Sequence, residues 1–125
     1  MKKTALILLA HGSKDKRWQK PFEELLHSVK KENSSENIFL AYLDFCLPSL
    51  FDIVESIYDK CDFIEILPLF MAGGGHVDND IPKIINQLKE KYPKIKIEIL
   101  SPIGENPKSI SAFKEIILES KTNMV

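Results

Sequence analysis

The chain has 125 residues, 44% of them apolar and 28% charged, with a formal net charge of -1. That length suits one domain spanning residues 1–125, and the balanced charge argues against a nucleic-acid or acidic-membrane partner. No stretch reads as a transmembrane span, and Cys46 and Cys61, which lack C-x-x-C spacing, suit reduced buried thiols in a cytoplasmic protein.

The first predicted strand, about Thr4 to Ala10, is a nearly continuous apolar run of the kind buried on both faces of a parallel sheet. It is too short for a secretory h-region. It ends in His11-Gly12-Ser13, and a helix is expected from about Asp15 to Lys31, with Pro21 in or near its first turn. Trp18, Phe22, Leu25, Leu26 and Val29 follow a 3.6-residue period and form its predicted inner stripe. After a polar loop, a second strand runs from about Ile38 to Phe45. Pro48 opens a second helix with Leu50, Ile53, Val54 and Ile57 inward.

Ile64 to Phe70 reads as a third strand, broken by Gly73, Gly74 and Gly75 and followed at once by His76. Asp78 or Asp80 can cap the next helix, with Pro82 in its first turn and Ile81, Ile84, Ile85 and Leu88 on one face. A fourth strand, about Ile95 to Leu100, alternates isoleucine with Lys96 and Glu98 and suits a sheet edge. Pro107 opens a last helix with Ile110, Phe113, Ile116 and Ile117 inward, and the tail after Ser120 is expected to fray.

This βαβαβαβα order predicts an α/β fold: a three-layer αβα sandwich around a four-stranded, mostly parallel sheet of order 2-1-3-4. Strands one and three then lie side by side, and their carboxyl ends flank the switch point where such sheets bind ligands. His11 and His76 follow those two strands, so the topology brings both imidazoles to one crevice. His27, beside Leu26 on a helix with no glycine turn, reads as structural or solvent-facing.

Three successive glycines lose backbone entropy on folding and are tolerated where the chain takes positive φ or lies close to something bulky. A flexible turn, a phosphate cradle and a planar macrocycle over the backbone all fit, although no phosphate-loop motif occurs. Asp44, at the end of strand two, can orient a histidine, accept a proton or help hold a metal; it can equally be a solvated strand end. Lys14, Lys16 and Arg17 stand at the mouth of the crevice, where they can pair with carboxylates or simply furnish an exposed helical turn. Free imidazole titrates near about 6.5, so such a group can take a proton at neutral pH or bind Fe²⁺, Co²⁺ or Ni²⁺. A phosphate-transferring histidine would want an arginine beside it, and Ala10 stands there instead. A receiver-type phosphoacceptor would want acids after strand one, and a structural zinc site would want four ligands.

Leu9-Ala10-His11-Gly12-Ser13-Lys14-Asp15, Leu43-Asp44 with Pro48-Ser49-Leu50, and Leu67-Pro68-Leu69-Phe70 with Gly74-Gly75-His76-Val77 and Asp80-Ile81-Pro82 together resemble the short CbiX-type sirohydrochlorin chelatases. The resemblance runs over nearly the whole chain. It implies a chelatase-like fold and ATP-independent insertion of a divalent metal into sirohydrochlorin. Cobalt for cobalamin synthesis is favoured over iron for siroheme or over nickel. It implies His11 and His76 as catalytic pair and metal ligands, with Asp44 a further ligand, no permanently bound cofactor, and a homodimer. Gly12, Ser13, Lys14, Arg17, Gly73, Gly74 and Gly75 would meet the substrate's carboxylates. Many relatives carry glutamate where Asp44 stands and an acid where this chain has Leu47. Two rival classes are a tetrapyrrole or metal carrier without turnover, and a phosphohydrolase using His11.

Overall fold

A computed structural model of the chain describes residues 3–33, 37–73 and 76–122; the side chains of residues 76–78 and 122 lie outside that description. Four strands, β1 (Thr4–Ala10), β2 (Ile38–Tyr42), β3 (Phe63–Pro68) and β4 (Lys96–Ile99), form one sheet in the order β2-β1-β3-β4. Every pairing is parallel, with Ala10 opposite Tyr42, Leu9 opposite Pro68 and Ile66 opposite Ile99. The expected topology is therefore the observed one, with β1 and β3 at its centre.

The helices are α1 (Lys20–Glu32), α2 (Leu50–Ile57), α3 (His76–Lys91) and α4 (Pro107–Thr122). One sheet face packs Ile7, Leu9, Ile64 and Ile66 against Leu50, Val54 and Ile57 of α2 and Ile81, Ile85 and Leu88 of α3. The other sets Leu8, Ile38, Leu40 and Tyr42 against Phe22, Leu26 and Val29 of α1. Helix α2 starts where Ser49 accepts from Asp52 N–H while the Asp52 carboxylate accepts from Ser49 N–H, a capping box.

Three details depart from the sequence expectation. Asp15 caps a separate 3-10 turn, Lys16–Trp18, before α1 begins, and this break in register leaves Trp18 68% and Leu25 42% exposed rather than inward. Helix α3 begins at His76, so Pro82 sits inside it and Asp80 occupies the second turn instead of a cap. An internal proline forfeits one helical hydrogen bond, at about 3 kcal/mol. Burying Ile81, Ile85 and Leu88 offsets this, at about 1.5–3 kcal/mol for each fully buried side chain. Finally, α4 turns its predicted inner residues outward: Ile110, Ile116 and Ile117 are 53%, 60% and 65% exposed, and Phe113 is half-buried. Its period marks an apolar face without saying what covers it. Residues 123–125 of the tail lie outside the described residues.

Candidate active site

The carboxyl ends of β1, β2 and β3 are tied beyond the strands themselves. Leu43 N–H donates to the Ala10 carbonyl (2.8 Å), Asp44 N–H to that of His11 (3.0 Å), and Leu69 N–H to that of Leu9 (2.8 Å). His11 is thus carried on the continuation of the central strand, with backbone fixed by its neighbour. Gly12 follows at φ +93°, and a Cβ there would run into the carbonyl oxygen of Asp44. Only glycine satisfies both the left-handed backbone and the close approach. Asp44 then turns the chain: its carbonyl accepts from Cys46 N–H (2.9 Å) across Phe45, whose φ is +68°. An i to i+2 bond with positive φ at the centre is the rare, strained form of γ-turn.

The half-buried His11 ring lies between two phenyl rings, with centroids 6.2 Å from Phe45 and 6.3 Å from Phe70, the latter edge-on. Nδ1 is 3.4 Å from the Gly12 carbonyl oxygen, at the long limit of a hydrogen bond. In the neutral ring one nitrogen carries the proton and the other can accept a proton or a metal. His11 shares a cavity of about 290 Å³ with Leu43, Asp44, Asp80, Lys83, Ile84 and Gln87. Two expected residues, His11 and Asp44, therefore meet in one hollow.

The His76 backbone opens α3, while its imidazole lies outside the described side chains. Position 76 precedes Asp80, Lys83 and Gln87 by 4, 7 and 11 residues, the spacing of a single helical stripe. Those three side chains line the His11 cavity. None was singled out as a site residue from sequence. Starting the helix at Pro82 hid a stripe that is readable once the helix is begun at His76.

Gly12, Ser13 and Lys14 line a second, shallower hollow of about 360 Å³ together with Phe45. The Ser13 hydroxyl accepts from Asp15 N–H (3.1 Å), and the Ser13 carbonyl accepts from the Gln19 amide (3.0 Å). Arg17 is placed differently. Its guanidinium grips both oxygens of Asp15, at 2.7–3.1 Å, on an open surface, which lowers the Asp15 pKa and engages the fork expected for substrate. Gly73 lines a larger cavity of about 610 Å³ with Phe70, Pro82, Asn86, Pro102 and Glu105; Gly74 and Gly75 lie outside the described residues. His27 is exposed, as expected.

One further glycine escaped notice in the sequence. Gly104 N–H donates to the Phe70 carbonyl (2.9 Å), and a Cβ at Gly104 would strike the Met71 backbone. This contact binds the segment after β4 to the segment that leads towards α3.

A model of the CbiX family matches residues 5–120. The chain belongs to the CbiX family. Among CbiX relatives, a sirohydrochlorin cobaltochelatase of Sulfolobus acidocaldarius is 32% identical over 111 residues, covering 88% of this chain and 86% of the relative. The crystal structure of a CbiX protein from Marinobacter aquaeolei VT8 superposes with a TM-score of 0.81 at 31% identity, covering 97% of each chain. The sirohydrochlorin chelatase SirB of Bacillus subtilis subspecies spizizenii, solved in complex with cobalt, gives a TM-score of 0.79 at 25% identity. That match takes in 95% of this chain and 51% of SirB. No described helix is long and apolar enough to cross a membrane.

Proposed function

We propose that this CbiX chain inserts a divalent metal, Co²⁺ foremost, into sirohydrochlorin without nucleotide hydrolysis. The observation that carries the reading is His11, set between Phe45 and Phe70 in a cavity that also holds Asp44 and Asp80, Lys83 and Gln87 of α3. Relatives bear the names sirohydrochlorin cobaltochelatase and sirohydrochlorin ferrochelatase.

The reaction exchanges one M²⁺ for two pyrrole N–H protons, so the site needs two proton acceptors and a route for a dehydrated cation. His11 takes one proton from the macrocycle. His76, on the stripe of Asp80 and Lys83, takes the second. Asp44 meets the incoming cation beside His11 and lowers the loss on shedding water, as a hard oxygen ligand does. Lys14 and Lys83 bear the positive charge that acetate and propionate groups require, while Gly12, Ser13 and Gly73 offer backbone N–H groups. Arg17 contributes through Asp15 to the first helical turn rather than as a free fork.

We further read the active form as a cytoplasmic homodimer. Its support is the outward apolar face of α4 and the free thiols Cys46 and Cys61. Anaerobic incubation of the protein with sirohydrochlorin and Co²⁺, Fe²⁺ or Ni²⁺, followed by absorbance, tests the function. The expected result is several products formed per protein chain, fastest with Co²⁺, and loss of turnover in His11→Ala and His76→Ala. Unchanged turnover in both variants, or a single product per chain, refutes it.

A further inference from the structure

We infer that Phe45 is the face against which the flat macrocycle is held beside His11, with Lys14 anchoring one of its carboxylates at the ring's edge. The inference rests on the chelatase reading and adds a tetrapyrrole-binding residue to it.

Phe45 is a bulky residue at φ +68°, a conformation that L side chains rarely adopt. Holding it there costs on the order of 1–3 kcal/mol, and such strain persists only where neighbouring structure imposes it. Here the imposition is visible. The Asp44 carbonyl accepts from Cys46 N–H, the Asp44 carboxylate accepts from Phe45 N–H (2.9 Å), and Gly12 packs beneath the same carbonyl. The outcome is unusual for a phenylalanine: the residue is 53% exposed instead of filling the core. It stands 6.2 Å from the His11 ring, tilted by 35°.

The Lys14 ammonium sits 5.9 Å from the Phe45 centroid, within cation–π range, so the ring also steers the charge. Gly12, Ser13 and Lys14 complete the hollow around Phe45. An apolar ring flanked by an ammonium and small residues, one ring away from a proton acceptor, is the complement of a flat conjugated ligand with carboxylates at its rim. A residue needed only to cover His11 would gain more by turning its exposed half inward.

The test separates the ring from the backbone it strains. Phe45→Gly and Phe45→Asn tolerate positive φ and delete the ring; Phe45→Trp restores an aromatic face. Each is titrated with metal-free sirohydrochlorin by absorbance, alongside thermal unfolding and the chelation assay. Both ring-deleted variants should melt no lower than the parent yet bind the macrocycle roughly tenfold to a hundredfold more weakly, the scale of one aromatic stacking partner. Phe45→Trp should recover binding to within a few-fold. Lys14→Gln should weaken binding and flatten its dependence on salt. If Phe45→Gly binds metal-free sirohydrochlorin within twofold of the parent, the inference is overturned while the chelatase reading stands. A parent protein that neither binds nor metallates sirohydrochlorin overturns both.

Discussion

Gly104→Ala is the substitution that most directly asks whether the loops at this sheet edge act as one machine. Gly104 is buried and lies outside the cavity that contains His11. Its missing side chain is nonetheless where the Met71 backbone passes, with the carbonyl oxygen, Cα and carbonyl carbon all too close for a methyl group. Backbone on both sides leaves no flexible side chain to give way, so the two segments must part by about 1 Å. Parting them also stretches the Gly104 N–H bond to the Phe70 carbonyl. Residue 70 is one of the rings flanking His11, and the segment continues to the start of α3 at His76. A misplacement of about 1 Å, far from the reacting atoms, can lower a rate on the order of a hundredfold. The expected result is a fall of that size in kcat/KM for metal insertion, while Co²⁺ insertion stays faster than Fe²⁺ insertion. A stability loss of about 1–3 kcal/mol should accompany it, as for an overpacked interior site. Stopped-flow absorbance under anaerobic conditions and urea unfolding on the same preparation read both. Parental kcat/KM in a folded Gly104→Ala protein would refute the claim that this contact positions the site.

Tyr42→Phe should be neutral or stabilising by about 1 kcal/mol in urea unfolding, because the buried Tyr42 hydroxyl meets no hydrogen-bond partner among the described residues. Burial raises the pKa of both Tyr42 and Cys61, with Glu23 and Cys46 adding to the first and Asp62 and Asp59 to the second. The folded state therefore keeps protons that the unfolded chain gives up first. Its stability is complete below the unfolded thiol pKa of about 8.5 and declines as pH climbs through the raised folded values. Melting temperatures from pH 7 to 10.5 should fall less steeply in Cys61→Ala than in the parent. Ile116→Lys with Ile117→Glu on the exposed face of α4 should leave the far-UV spectrum intact and shift sedimentation towards the monomer; an unchanged sedimentation coefficient would count against the dimer.

The strand order was legible because unbroken apolar runs such as Ala5 to Ala10 mark buried parallel strands, and the alternation of Lys96 and Glu98 marks an edge. His11 was legible for the same reason, since a strand followed by glycine fixes where the next side chain emerges. The start of α3 was not. Pro82 reads locally as a first-turn residue, and only the tertiary burial of Ile81, Ile85 and Leu88 makes an interior proline tolerable. With the start displaced, Asp80, Lys83 and Gln87 fell out of the site. Gly104 was invisible because its role is defined by Met71, 33 residues earlier, and no local pattern encodes that approach. The face of α4 was recognised as apolar, but periodicity measures amphipathicity and is silent about the surface that receives it.

The two glycine contacts divide the sheet edge into a pair of units. On one side, Gly12 locks the segment after β1 to that after β2 through Asp44, and this unit carries His11, Asp44 and Phe45. On the other, Gly104 locks the segment after β4 to that after β3 through Met71, and this unit carries Phe70 and leads to His76. Between them Leu69 N–H donates to the Leu9 carbonyl, at the base of the crevice. Each unit is held by backbone contacts that side-chain motion cannot release, while the space between them is bordered by side chains. A rigid planar guest entering that space would meet two stiff walls, one of them carrying His11. On the chelatase reading, neither wall has to be rebuilt during metal insertion, because the backbone geometry is fixed before the substrate arrives.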